Sequence, residues 1–188
     1  MLYSLAIGYR ATGDMEAAIR SGLQGLALFR ASEATTESAS VENELALIYI
    51  GLGNLREAGK HAGVARAAFE SAGDEYWLAH VAETEAQIAL AKGNLDEATT
   101  KAAAATELAR KTGNQKAEIS ALLTEARAAR ARGDAARAAV VLGSAVELAR
   151  TGPKPRLREI LSEWSELLAE SGDLQRAYEL GREALGLV

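Results

Sequence analysis

A chain of 188 residues with 48% apolar residues, 5% aromatics, two prolines and no cysteine can bury a core. It has no thiol for a disulfide, a thiolate metal site or a cysteine nucleophile. The net charge of −5 comes from 26 acids and 21 bases mixed along the chain, and the densest basic stretch, Lys154 to Arg158, holds no aromatic ring, which excludes a nucleic-acid footprint.

Alanine leads the apolar set, which favours closely packed helices over a sheet of β-branched and aromatic side chains. In chain order, Leu2, Leu5, Ala6 and Tyr9 mark a first helix that stops at Gly13-Asp14. A second helix carries Gly22 and Gly25, read as close-packing positions rather than a phosphate cradle. The polar run Ser32 to Ser40 is expected to be an irregular connection or a polar helix start. A third helix with Leu45, Ala46 and Tyr49 stops at Gly53-Asn54. The fourth presents Ala58, Ala62 and Ala65, with Gly59 and Gly63 read as packing positions and His61 as a solvated surface residue. Gly73-Asp74 opens a fifth helix, containing His80 and Ala86 and closed by Gly93-Asn94. In the sixth, Ala98, Ala102, Ala105, Leu108 and Ala109 recur at the three-to-four spacing of one buried face. The seventh, with Ala126, lies between Gly113-Asn114 and Gly133-Asp134, and the eighth, with Ala138, Leu142 and Ala145, ends at Gly152-Pro153. Pro153 and Pro155 exclude continued helix at Gly152 to Lys154. The ninth carries Leu161, Trp164, Ser165 and Leu168 up to Gly172-Asp173, and the tenth runs from there, with Ala177, into the apolar end Leu185 to Val188.

Five of these corners share a Gly-Asp or Gly-Asn pair followed by alanine at one offset, with glycines spaced 40, 40, 40 and 39 residues apart. Glycine takes the left-handed position that ends one helix, and the Asp or Asn side chain accepts from free amides of the next. The second turn signal in each period divides it into two helices of about 16 to 18 residues, or roughly 25 Å. The reading is all-α, a single array over residues 1–188, with repeats at roughly 1–33, 34–73, 74–113, 114–152 and 153–188.

The first helix of each period resembles helix A of the tetratricopeptide repeat family, with Leu, a small residue and an aromatic before the Gly-Asp turn. Leu2, Leu5, Ala6 and Tyr9 match, as do Leu45, Ala46 and Tyr49, and Leu161, Trp164, Ser165 and Leu168; the third and fourth repeats keep the small Ala86 and Ala126. The resemblance implies a right-handed α-solenoid of about five repeats and about ten helices, with helix A lining a concave surface. The family's usual period is about 34, and the longer period here is similar to arrays in bacterial regulators, where they follow a DNA-binding helix-turn-helix domain or an ATPase and sense peptides or partner proteins. No DNA-binding module is read in this segment, so such a role would belong to a longer parent protein.

The family's groove positions, carried onto this chain, are Tyr3, Ile7 and Arg10, then Asn43, Leu47 and Ile50, then His80, Glu83 and Gln87. They continue as Leu123, Arg127 and Arg130, and then Glu159, Ser162 and Glu166. These imply a groove running from apolar through polar to basic and then acidic, suited to a peptide or protein ligand with apolar anchors and a carboxylate near Arg127 and Arg130. The plainer account of the two arginines pairs them with Glu125 or Asp134 on a solvated face, and Glu83, Glu85, Glu118 and Glu125 read as surface charge. No phosphate-binding glycine loop, zinc-binding histidine pair or hydrolase elbow occurs, and neither His61 nor His80 has a second ligand at metal spacing, so no enzyme activity, cofactor or metal is expected. The absence of cysteine, of an apolar run of about 18 residues and of a signal peptide at Met1 to Leu5 sets the expectation of a cytoplasmic chain without membrane contact. Apolar residues at both ends leave a structural alternative, self-association through the terminal helices.

Overall fold

A computed structural model describes residues 1–186. Leu187 and Val188, the last two residues of the expected apolar end, lie outside the described residues. Ten helices and no strand occur among the described residues: α1 (Leu2–Thr12), α2 (Met15–Ala31), α3 (Thr35–Gly51), α4 (Leu55–Ala72), α5 (Glu75–Ala91), α6 (Leu95–Thr112), α7 (Gln115–Ala131), α8 (Ala135–Ala149), α9 (Lys154–Glu170) and α10 (Leu174–Leu185). Each helix packs on the next, and α1, α3, α5 and α7 also pack on one another in sequence. This is the all-α solenoid expected from the repeats, with odd-numbered helices as helix A and even-numbered ones as helix B.

The corners follow the chemistry read from the sequence. Gly13, Gly53, Gly93, Gly133 and Gly172 all have positive φ, as do Gly73 and Gly113 at the alternate turns. Asp14, Asn54, Asp74, Asn114, Asp134 and Asp173 each accept from the amide three residues on. Asn94 is the exception: its amide nitrogen donates to Glu97 at 3.3 Å instead. The corner between α2 and α3 lacks a glycine, and Glu33 takes the left-handed conformation there at φ 57. Ala34 follows as a cap with no side chain to accept an amide. The polar run Ser32 to Ser40 is therefore a tight turn and a polar helix start, and its later residues Ala39 and Ser40 are buried.

Small residues set the helix spacing. Ala58, Ala62 and Ala65 on α4, Ala98, Ala102, Ala105 and Ala109 on α6, and Ala138 and Ala145 on α8 are all at most 1% exposed, so the repeating stripe is core. Larger side chains fill the gaps between repeats, with Phe69, Leu45, Ile48, Leu123, Leu142, Ile160 and Leu161 fully enclosed. Burying each of these contributes about 1.5–3 kcal/mol. A Cβ on Gly22 would lie 2.8 Å from the Leu45 side chain, and one on Gly25 would meet Leu2 at 3.4 Å, so both are close-packing positions. Gly59 and Gly63 are not. They are exposed with open space at the Cβ, because each follows a stripe alanine by one residue, which turns it about 100° away from the buried face.

The last repeat is set differently. Four residues, 150–153, separate α8 from α9, where two suffice between α4 and α5 or between α6 and α7. Pro153 caps α9 and Pro155 sits in its first turn, where a missing amide hydrogen costs nothing; Lys154 is already helical. One apolar cluster still ties α7, α8, α9 and α10 together through Leu122, Leu142, Val146, Ile160, Leu161 and Ala184.

Candidate functional site

Helix A is packed on more sides than helix B. On α7 eleven of seventeen residues are buried, and little is left free apart from the strip facing the inside of the array. Along that strip runs a continuous groove of about 700 Å3, reaching from Tyr3 on α1 to Glu159 on α9. Its α1–α3 end is apolar, formed by Ile7, Met15, Leu47 and Ile50. The one charge pair there is closed on itself, because Arg10 Nε donates to Glu44 Oε1 at 2.5 Å. Burial and the nearby Glu44 carboxylate push the Tyr3 hydroxyl pKa up to about 12.

Asn43, one turn before Leu47, is 6% exposed and lines the groove. Its carbonyl oxygen is buried without a hydrogen-bond partner, a condition shared among the described residues only by the indole nitrogen of Trp164. An unpaired buried polar group costs about 1–3 kcal/mol, and proteins keep few of them.

In the middle of the groove Glu83 is 6% exposed rather than the surface charge expected. The physical reason is its place on helix A, where α7 covers it: Glu83 Oε1 accepts from Gln87 Nε2 at 2.7 Å and from Thr124 Oγ1 at 3.1 Å. Burial raises its pKa above the ordinary carboxylate value, with those two hydrogen bonds and the charges of Arg156 and Arg127 acting the other way. His80, on the same helix and also lining the groove, is held down to about 4 by burial and by the neighbouring Lys116, so the ring is neutral at pH 7. Trp77 lies against it with ring centroids 5.1 Å apart.

The arginines pair differently from the local account. Arg127 donates Nε to Glu163 Oε1 at 3.1 Å and Nη2 to Glu163 Oε2 at 2.9 Å, with a longer bond to Glu159. Arg130 pairs with Glu166 and Glu170. Neither uses Glu125 or Asp134. The long α8–α9 corner sets α9 where α7 reaches it through these side chains, so acids from the next repeat claim the arginines first. Burial opposes the charge of Arg127, but Glu163 and Glu159 outweigh it and raise the guanidinium pKa further.

Asn43, Leu47, Ile50, His80, Glu83, Gln87, Leu123 and Arg127 line this one groove. Tyr3, Ile7, Arg10 and Glu159 line it too, whereas Arg130, Glu166 and Ser162 do not. Arg130 and Glu166 form instead a partly exposed bridge near the far ends of α7 and α9. Among the lining residues that the sequence reading did not place there are Trp77, Lys116, Ser120 and Arg156. Trp77, Ser120 and Arg156 each lie one turn before a position carried over, and Lys116 one turn before Ser120. A usable signal existed, since Ser120 lies one 40-residue period after His80. Lys116 is exposed and has no carboxylate within ion-pair reach among the described residues. Arg156 donates Nη1 to Glu159 at 2.7 Å and Nη2 to Ser120 Oγ at 2.8 Å.

Other charges thought to be solvated serve the packing of A on B. Glu118 takes Arg110 at 2.7 Å, Glu125 takes Arg137 at 2.6 Å, and Glu85 takes Arg66 at 2.6 Å and Lys101 at 3.0 Å. His61 is likewise no free surface residue. Its ring stacks on Tyr49 at 5.2 Å and its Nδ1 lies 2.5 Å from Glu42 Oε2, because α4 lies directly on α3. Among the described residues no three His, Asp or Glu side chains are grouped to hold a metal ion, and no helix is long and apolar enough to cross a membrane.

No family model and no curated protein sequence matches the chain. Solved structures do match it in fold. A Rap protein complexed with Competence and Sporulation Factor aligns with TM-score 0.90 and 14% identity over 99% of this chain and 53% of its own. A signal-transduction ATPase with numerous domains and a tetratricopeptide repeat sensor, from Pyrococcus horikoshii, aligns with TM-score 0.73 and 20% identity over 99% and 28%. A kinesin light chain of nearly identical repeats from Podosopora anserina gives TM-score 0.68 and 19% identity over 99% and 92%.

Proposed function

We propose that this chain, whose fold is that of the tetratricopeptide-repeat solenoids, recognises a peptide or protein segment in its concave groove, as the sensor or interaction segment of a larger bacterial regulatory protein. The observation that carries this reading is the groove itself: a concavity of about 700 Å3 bounded by all five A helices, apolar at one end and cationic on one wall. Such a lining suits an extended chain that offers both side chains and peptide groups. Two structural neighbours bear on use, since one was solved in complex with Competence and Sporulation Factor and the other carries a tetratricopeptide repeat sensor. In this reading residues 1–188 act as one binding array without catalysis, and the parent protein supplies the output.

The test is selection from a phage-displayed random dodecapeptide library on the purified chain, followed by affinity measurement on variants. Leu47→Asp with Ile50→Asp should weaken the selected peptides at least about tenfold, or about 1.4 kcal/mol. Val140→Asp, on the exposed face of α8, should leave them within about twofold. The reading fails if no peptide is enriched, or if only the α8 variant loses binding.

One observation favours a second use of the same array. Helix α10 exposes Leu174, Tyr178 and Leu185 at 68%, 64% and 74%, apolar side chains that a second copy could cover. Light scattering over a range of concentrations separates the two: a dimer abolished by Tyr178→Glu supports end-helix pairing, and a constant monomer mass removes it.

A further inference from the structure

The A helices form a close-packed series from α1 through α3 and α5 to α7, and α9 does not continue it. Long charged side chains span that last junction instead. Glu159, Glu163, Glu166 and Glu170 recur at spacings of four, three and four, which puts them on one face of α9. Arg127 on α7 reaches Glu163 at 2.9 Å and Glu159 at 3.4 Å, and Arg130 reaches Glu166 at 3.7 Å and pairs with Glu170 as well. From the other side Arg156 donates to Ser120 on α7 at 2.8 Å. Carboxylates one turn apart on a helix repel one another, so the two arginines also relieve a strain within α9. The corner behind this row is unusual too. Residues 150–153 form the longest corner of the array, and none of them has positive φ. Beyond it α9 and α10 make a hairpin of their own, joined at the left-handed Gly172 and by Ser165 Oγ donating to the Ala177 carbonyl at 2.7 Å. That hairpin rests on α8, where Trp164 faces Gly143, a residue with no side chain to interlock with its ring.

We propose that the α9–α10 hairpin is a movable end wall, pivoting at residues 150–153 and latched onto α7 by the pairs of Arg127 and Arg130 with the acidic face of α9. Ionic strength controls the latch. The paired side chains are partly open to solvent, so salt weakens them, whereas the apolar contacts between the earlier A helices carry no charge to screen. The Arg130 pairs lie at the end of α9 farthest from the corner, where they hold the hairpin at its longest lever arm. A pivot of about 15° carries the far end of a 17-residue helix about 6–7 Å. The closed position also keeps the Trp164 indole nitrogen buried without a hydrogen-bond partner, a group that opening exposes to water. Because Pro153, Arg156 and Glu159 line the groove, the pivot changes its width at that end, whatever the groove binds.

The chain has no cysteine, so nitroxide labels attach only where one is introduced. Lys92→Cys with Ala169→Cys spans from the end of α5 to the far end of α9, and Leu52→Cys with Ala131→Cys spans α3 to α7 within the close-packed series; all four residues are exposed. Double electron–electron resonance compares the two pairs at about 0.01 M and about 1 M salt, between which the screening length falls from about 30 Å to about 3 Å. The α5–α9 distance should broaden and lengthen by about 5 Å or more with the pivot, while the α3–α7 distance stays in place. Arg127→Gln with Arg130→Gln should show the open distribution already at low salt and respond to salt no further. An α5–α9 distance that ignores salt overturns the latch, whatever the double variant does. Equal shifts in both pairs overturn it as well, because the array would then flex throughout. A folded double variant that keeps the closed distance at low salt shows that packing alone seats α9, and refutes the proposal.

Discussion

The corner between α2 and α3 offers a direct test of how these repeats are held. Every other inter-helix corner among the described residues has glycine in the left-handed conformation except the proline corner at 150–153, but here Glu33 adopts φ 57 and Ala34 leaves α3 without a side-chain cap. A non-glycine residue in that conformation costs about 1–2 kcal/mol, and glycine gives back about 0.4–1 kcal/mol through the greater freedom of the unfolded chain. Glu33→Gly should therefore stabilise by roughly 0.5–1 kcal/mol. Glu33 is exposed and forms no ion pair among the described residues, so nothing else is lost. Ala34→Asn rebuilds the cap seen at Asn54, whose oxygen accepts from Glu57 at 3.3 Å; the matching amide here is that of Glu37. A restored cap contributes about 0.5–2 kcal/mol. Together the two changes amount to about 2 kcal/mol if they add, or about 4–8 °C in melting temperature for a chain of this size. Thermal unfolding followed by far-UV circular dichroism reads the shift. A Glu33→Gly protein that melts lower than its parent, by the entropy of glycine alone, would show that the corner is not left-handed and would refute the reasoning.

Three further outcomes are expected. Gly93→Val places a branched side chain at φ 77 and should cost on the order of 1 kcal/mol or more, broadening the urea transition by uncoupling neighbouring repeats rather than abolishing helix; an unchanged midpoint refutes the corner assignment. Because burial raises the folded-state pKa of Glu83, its contribution is favourable at acidic pH and is lost as pH rises from the ordinary carboxylate value through the raised one, so Glu83→Gln should melt higher than the parent at pH 7 with the gain shrinking towards pH 4.5; a gain that does not change with pH contradicts this. His80, depressed to about 4, has the opposite sense as a base: its contribution is complete above pH 6.5 and lost as pH falls towards 4, so His80→Gln should flatten the acid side of the pH–stability curve, and an unaltered acid limb would show the ring to be solvated.

The fold was legible because its determinants are local. A glycine and its following Asp or Asn fix each corner through backbone conformation and one hydrogen bond, and five copies in register leave little choice of architecture. The groove positions on the middle of helix A were legible for the same reason, since a 40-residue period carries Asn43 onto Glu83 and then Leu123. Pairing was not legible. Glu83 looked solvated because a helical carboxylate without a partner on its own helix reads as surface charge, yet the group that covers it, Thr124, is 41 residues away. Arg127 looked free or locally paired because Glu163, 36 residues on, becomes its partner only after the four-residue corner sets the position of α9. His61 and Glu42 meet across 19 residues by the same logic of stacking. Charge in a solenoid belongs to the neighbouring repeat as much as to its own helix, and a reading confined to one helix assigns it wrongly.

The chain carries only two tryptophans, and they report on the two rival surfaces. Trp77 lines the groove beside His80, whereas Trp164 lies outside it in the last repeat, with Gly143 at its ring edge and Arg176 over its face at 5.5 Å. The most direct measurement is therefore a titration of a selected peptide into 15N-labelled protein, following the two indole N–H resonances. Recognition in the concave groove predicts that the Trp77 resonance moves in a saturable way while that of Trp164 stays in place. A shift of Trp164 with Trp77 unmoved would contradict the account and place binding on the terminal helices.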